Sequence, residues 1–168
     1  MNSSIPFNVA SLGSLELEYL TKAINDGHIS GCGAFTNRAE EELNHIHGSG
    51  RSLLTTSCTH ALELSGRLLD LGPGDEVIVP SFTFVSTAAA FMLQGATPVF
   101  ADVCYDTLNL CPDAARVAIT KNTKAICLVH YAGIGAQPDR FVELCSEYGL
   151  HLIEDNAHGL GGSYGGQK

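Results

Sequence analysis

From Ser52 onward, short β-branched runs alternate with stretches of helical period, the pattern of βαβ units feeding a largely parallel sheet. The predicted strands are Ser52–Thr55, Glu76–Val79, Thr97–Ala101, Lys124–Val129 and His151–Glu154. Between them lie the predicted helices Thr59–Asp70, Thr83–Gln94, Pro112–Ile119 and Asp139–Tyr148. Punctuation agrees: Gly72-Pro-Gly-Asp75 precedes the second strand, Gly95 follows a helix, Cys111-Pro112 opens one and Gly149 closes another. Two further helical stretches, Leu12–Gly27 and Arg38–Gly48, come first and flank Ser30-Gly-Cys-Gly33. The expected organisation is an N-terminal helical segment, residues 1–50, followed by an α/β portion, residues 51–168.

The most apolar window, Val77 to Leu93, is interrupted by Pro80, Ser81, Thr83, Ser86 and Thr87. A membrane-spanning helix needs about 20 predominantly apolar residues, so the window reads as strand, turn and buried helix, with no membrane partner. The first residues, Met1-Asn-Ser-Ser-Ile-Pro-Phe-Asn8, lack the basic and apolar regions of a signal peptide. Eighteen acidic against nine basic residues give a net charge of −9. With no Lys/Arg cluster, a nucleic-acid partner is not expected. The six cysteines form no C-x-x-C pair and no zinc-ligand spacing. Reduced thiols in a cytoplasmic protein are the simplest reading.

Three strand ends carry candidate chemistry. Asp155 sits where the run Leu152-Ile-Glu-Asp155 ends and a glycine-rich turn begins, which places a carboxylate at the carboxyl edge of a sheet. Thr56-Ser57-Cys58-Thr59 opens a helical pattern, where free N–H groups and the helix dipole suit an anion. Pro80-Ser-Phe-Thr-Phe84 ends another strand with an aromatic. Together they point to pyridoxal phosphate: anion at a helix start, flat ring against an aromatic, ring nitrogen on an acid. Each also has an ordinary reading. Ser57 suits a plain N-cap, Phe84 a core aromatic, Asp155 with Glu154 a solvated strand end, and His158 a solvated loop histidine. Asp155, His158 and His130 are too sparse a set for a metal site. No G-x-G-x-x-G follows the first strand, so the dinucleotide fingerprint is missing.

The segments Thr56-Ser-Cys-Thr-His-Ala-Leu-Glu63, Pro73-Gly-Asp-Glu-Val-Ile-Val-Pro-Ser-Phe-Thr-Phe-Val-Ser-Thr87, Val129-His-Tyr-Ala-Gly133 and Ile153-Glu-Asp-Asn-Ala-His158 follow one another in this order. In them the chain resembles the sugar-nucleotide aminotransferases of the DegT/DnrJ/EryC1/StrS family, and within it the dTDP-4-amino-4,6-dideoxygalactose transaminases. The resemblance implies the large domain of a fold-type I pyridoxal-phosphate enzyme, a mostly parallel sheet flanked by helices. It implies that Thr56, Ser57 and Cys58 hold the cofactor phosphate and that Phe84, rather than Phe82, stacks on the pyridine ring. Asp155 is then the partner of the ring nitrogen, and His158 lies near the phenolic oxygen.

By the same resemblance the full enzyme takes glutamate as amino donor and aminates C4 of a dTDP-4-keto-6-deoxyhexose. It works as a cytoplasmic homodimer in dTDP-sugar biosynthesis supplying lipopolysaccharide antigens. The family's Schiff-base lysine lies in a Ser-Phe-His-x-x-Lys-type segment expected beyond Lys168. None of Lys22, Lys121, Lys124 and Lys168 occupies that place. The chain is therefore expected to be a truncated N-terminal part, inactive alone and with no catalytic residue of its own. Two alternatives stay open: a pyridoxamine-dependent sugar dehydratase, in which another residue replaces the lysine, and a non-catalytic regulator or sugar-nucleotide-binding module.

Overall fold

In the computed structural model, which describes residues 4–6, 9–28, 30–48 and 50–166, the apolar runs become four strands. These are β1 (Glu76–Pro80), β2 (Thr97–Ala101), β3 (Thr123–Val129) and β4 (His151–Asp155). They form one sheet in the order β2-β1-β3-β4, with every neighbouring pair parallel. The register sets Ile78 of β1 opposite Val99 of β2 and Ile126 of β3, and Ile126 opposite Leu152 of β4.

Among the described residues, six α-helices accompany the strands: α1 (Leu15–Asn25), α2 (Ala34–His47), α3 (Cys58–Leu68), α4 (Val85–Met92), α5 (Pro112–Ala118) and α6 (Pro138–Tyr148). The period-2 alternation of strand side chains sorts the core into two layers. Val77, Val79, Ala125, Cys127 and Ile153 face Leu62 of α3 and Ala88 and Phe91 of α4. Ile78, Ile126 and Leu128 face Ala115 of α5 and Phe141, Leu144 and Cys145 of α6. A parallel sheet covered on both faces needs strands apolar on both sides. That is why β1 and β3 read as unbroken apolar runs rather than alternating ones.

The strand order has a functional consequence. From β1 the chain passes through α4 to β2 on one side, then crosses through α5 to β3 on the other side of β1. The direction of winding reverses between β1 and β3, and at such a switch point the carboxyl ends of the strands leave a crevice.

The chain divides into two compact units, Met1–Leu54 and Thr55–Lys168. In the first, α1 and α2 meet through Tyr19 and Phe35, whose ring centres are 5.3 Å apart, with the Arg38 guanidinium 5.5 Å from both. Neither helix has a buried residue. The predicted strand Ser52–Thr55 is corrected here, since these residues belong to no ladder. Their N–H groups go elsewhere: Ser52 donates to Asn44 Oδ1 at 2.7 Å and Leu54 to Glu40 Oε1 at 3.0 Å, both on α2. Helix side chains thus take the role that a neighbouring strand would fill.

The packing makes one direct prediction. Phe91 is fully buried at the centre of the α3/α4 layer. Phe91→Ala should destabilise the protein by about 3–5 kcal/mol through lost burial and the cavity left behind. Urea denaturation of the variant and the wild type side by side checks this, and a midpoint shift below about 1 kcal/mol would show that the site collapses around the smaller residue.

Candidate active site

The carboxyl ends of β1, β3 and β4 open onto one cleft, which lies at the switch point. Its walls come from the first turn of α3 (Cys58, Thr59), the turn after β1 (Thr83, Phe84), the end of β3 (His130, Tyr131), and Asp155 with His158. Counting space open to solvent, it encloses about 450 Å³.

Asp155 is the last residue of β4 and only 6% exposed. Its carboxylate is held at both oxygens. Thr87 Oγ1 donates to Oδ2 at 2.7 Å, while the Ala157 N–H (3.3 Å) and the Cys58 thiol (3.5 Å) donate to Oδ1. Thr87 is itself fully buried, and its hydroxyl lies 2.8 Å from that of Thr83. A threonine has one hydroxyl proton. Since Thr87 spends its proton on Asp155, Thr83 must donate to Thr87, giving a chain that runs from Thr83 through Thr87 to the carboxylate. Buried charges persist when their lone pairs are satisfied in this way.

The other end of the cleft is the start of α3. Ser57 is its N-cap, with extended backbone, and its Oγ accepts the His60 N–H at 3.2 Å. Ala61 N–H closes on the Ser57 carbonyl. That leaves the N–H groups of Cys58 and Thr59 without an acceptor among the described residues, in the first turn where the helix dipole is positive. Thr59 Oγ1 donates to Ser86 Oγ at 2.9 Å, tying the start of α3 to α4. Thr56 shares a short hydrogen bond with His60 Nδ1. The Cys58 thiol lies between the two ends. Burial, then the Asp155 charge and the hydrogen bond to it, push its pKa from near 9 up to about 11, so it is a neutral thiol at physiological pH.

A third wall is aromatic. Phe84 stands at the N-cap of α4 with 68% of its surface exposed, presenting a free ring face to the cleft. Phe82 is engaged elsewhere, its ring centre 4.6 Å from that of Tyr131. Tyr131 also meets His158 edge-on at 5.8 Å.

A family model of the DegT/DnrJ/EryC1/StrS aminotransferases matches residues 10–168. The chain belongs to this family. Among solved structures, it is 37% identical to 3-amino-5-hydroxybenzoic acid synthase with a TM-score of 0.91, covering 94% of this chain and 41% of that one. It is 31% identical to Spr1654 of Streptococcus pneumoniae in its PLP form, a protein ascribed sugar aminotransferase activity (TM-score 0.88; 97% and 45% covered). It is also 31% identical to NtdA of Bacillus subtilis, solved with bound pyridoxamine phosphate (TM-score 0.84; 88% and 34% covered). The chain thus spans less than half the length of these structures. The fold expected from the family, a fold-type I α/β sheet, is the fold observed.

Of the site residues expected of a DegT/DnrJ/EryC1/StrS aminotransferase, Cys58, Phe84, Asp155 and His158 meet in the cleft. Thr56 and Ser57 do not line it; Ser57 works from behind as the cap, and Thr56 engages His60. The sequence reading missed Thr83 and Thr87 as supports of Asp155, and Tyr131 as a wall. A signal for Thr87 existed: with Ser86 it is one of two hydroxyls in the apolar helix Val-Ser-Thr-Ala-Ala-Ala-Phe-Met, where a buried polar group needs a partner. Tyr131 left no comparable trace. No cluster of three or more His, Cys, Asp or Glu among the described residues could hold a metal ion.

The raised thiol pKa predicts reactivity. Cys58 should alkylate with iodoacetamide far more slowly at neutral pH than an ordinary thiol of pKa about 8.5, its rate rising only toward pH 11. Asp155→Asn removes the charge that opposes thiolate formation, so the midpoint should move down. Mass spectrometry of the Cys58 peptide over a pH series reads this, and a midpoint unchanged in the variant would separate Cys58 from Asp155.

Proposed function

We propose that this chain supplies the cofactor-binding portion of a pyridoxal-phosphate-dependent sugar-nucleotide aminotransferase. The observation that carries the reading is Asp155: a nearly buried carboxylate at the switch-point crevice, with donors on both oxygens. The cleft fits the cofactor in kind at each end. Asp155 offers an anion to a pyridinium nitrogen, the unpaired Cys58 and Thr59 N–H groups offer donors to a phosphate, and Phe84 offers a free ring face.

Bound there, pyridoxal phosphate provides an electron sink for the pair left when a C–H proton departs. This chain's residues bind and orient it. Asp155, fixed by Thr87, keeps a proton on the ring nitrogen by charge. The α3 N-terminus anchors the phosphate and sets the ring's distance from Asp155. His158 accepts the Ala132 N–H at Nδ1 (3.2 Å), so its remaining ring proton is on Nε2, as a donor for a ligand oxygen.

No lysine lines the cleft among the described residues. Lys22 is on α1, Lys121 is in a turn, and Lys124 is at the amino end of β3, away from Asp155. The amine that the chemistry needs is then supplied by the rest of the longer protein, as in the family. By the same resemblance the substrate is a dTDP-4-keto-6-deoxyhexose, the donor glutamate and the assembly a cytoplasmic homodimer. No helix among the described residues is long and apolar enough to cross a membrane.

Two variants of the full-length protein test this. Asp155→Ala should lower transamination by several orders of magnitude, because the ring nitrogen loses its counter-charge; near-wild-type turnover would sink the assignment. Ser57→Asp should keep the helix cap, since Asp caps as well as Ser, yet weaken cofactor binding strongly by placing a like charge at the helix start that holds the dianion. Ser57→Ala should instead cost about 1 kcal/mol of stability. Equal cofactor affinity of the Asp variant and the wild type, read by titration, would place the phosphate elsewhere.

A further inference from the structure

Asn109 lies outside the four segments that carry the resemblance, yet it is 3% exposed and spends both its amide oxygen and its amide nitrogen on one loop of the cleft. It sits in a narrow return between β2 and α5. Val103 and Leu110 pair antiparallel, the Cys104 N–H donates to the Asn109 carbonyl at 2.8 Å, and the Cys111 N–H donates to Asp102 at 3.0 Å. Leu108, just before Asn109, is held at a left-handed φ of 59°. The return thus presents a short, fixed side chain.

Its target is the turn Tyr131–Ile134 that follows β3. Asn109 Oδ1 accepts the Tyr131 N–H at 3.1 Å, and Nδ2 donates to the Ile134 carbonyl at 2.8 Å. The turn's own bonds satisfy neither of these groups. Within the turn, Gly133 N–H closes on His130 and Ile134 N–H on Tyr131. The remaining donors go to histidines: Ala132 N–H to His158 Nδ1, and Ala136 N–H to His130 Nδ1, whose Nε2–H reaches Glu154 at 2.9 Å. These bonds hold an uncommon backbone, for Ala132 (φ 54°) and Gly133 (φ 80°) are successive left-handed residues. Alanine holds that conformation only when its surroundings impose it.

We propose that Asn109 is a positioning residue for the cleft. By clamping both ends of the turn it fixes Tyr131, and through Tyr131 the Phe82 and His158 rings packed on it. The orientation of a planar ligand in the cleft therefore depends on a side chain that does not line it. The proposal rests on the cofactor reading of the cleft for its ligand, but the clamp itself does not.

The test uses the full-length protein with Asn109→Ala and Asn109→Asp. The Asp variant matches Asn in size and keeps the acceptor for Tyr131, but sets an oxygen against the Ile134 carbonyl. In cofactor-free protein, both variants should speed hydrogen–deuterium exchange over residues 131–136 by about tenfold or more, the scale of losing a buried hydrogen bond. Exchange in β1 and β3 should stay unchanged. With pyridoxal phosphate added, the dissociation constant should rise, and the visible circular dichroism per bound cofactor should fall as its ring loses a fixed wall. Unchanged exchange over 131–136, or loosening spread evenly across the sheet in both variants, overturns the clamp. A loosened turn with an unchanged dichroic band overturns the positioning role. If the wild type binds no pyridoxal phosphate, the functional reading of the cleft fails, while the exchange measurement still decides the clamp.

Discussion

A parallel sheet buried on both faces spends its backbone polar groups on its own ladders and has no room for charge within its layers. Polar side chains must gather at the strand ends. Here β1 and β3 are apolar on both faces, and the buried carboxylate is Asp155, the last residue of β4, an edge strand among the described residues. The reversal of winding between β1 and β3 opens the crevice that receives it. Fold and site are thus one arrangement, since the constraint that sorts the core also decides where an anion can stand.

Within the crevice the charges are polarised. Asp155 marks a negative end, and the free N–H groups of the α3 first turn mark a positive one. No Lys or Arg among the described residues lines the space. A ligand with a cationic ring atom and an anionic tail matches both ends, whereas a simple dianion would meet Asp155 and a simple cation would meet the helix N-terminus. The net charge of −9 adds nothing to this. It is the local dipoles, close to the ligand and partly shielded from water, that set the preference.

Most of the scaffold was legible because its physics is local. Strands apolar on both sides, helices of regular period, and Gly or Pro at the breaks placed β1, β2, β3 and β4 within a residue or so. The failure at Ser52–Thr55 has a clear cause: β propensity describes a segment that fits a pleated surface, and whether a neighbour supplies that surface is a long-range fact. Asn44 and Glu40 supplied partners instead. The site divides the same way. Asp155, Cys58, Phe84 and His158 stood at element ends and could be found there. Thr87 and Asn109 work from inside the structure, 68 and 25 residues from Asp155 and Ile134 respectively; a hydroxyl in an apolar helix signals that Thr87 needs a partner, but nothing local says which residue that far along the chain supplies it.

The thiol of Cys58 shows how tightly the two ends are coupled. It donates to the same Asp155 oxygen as the Ala157 N–H, from the first residue of the helix whose N–H groups face the cleft. At a helix N-terminus a cysteine usually turns acidic, because the dipole favours the thiolate. Here the reverse holds, with burial and the adjacent carboxylate pushing the pKa up to about 11. Burial first and the carboxylate second therefore keep the side chain of Cys58 a neutral thiol one residue inside α3, which leaves the backbone N–H groups as the positive end of the cleft. An anion bound there is held by the peptide chain, and its position is set by the cap that Ser57 provides rather than by any charged side chain of this unit.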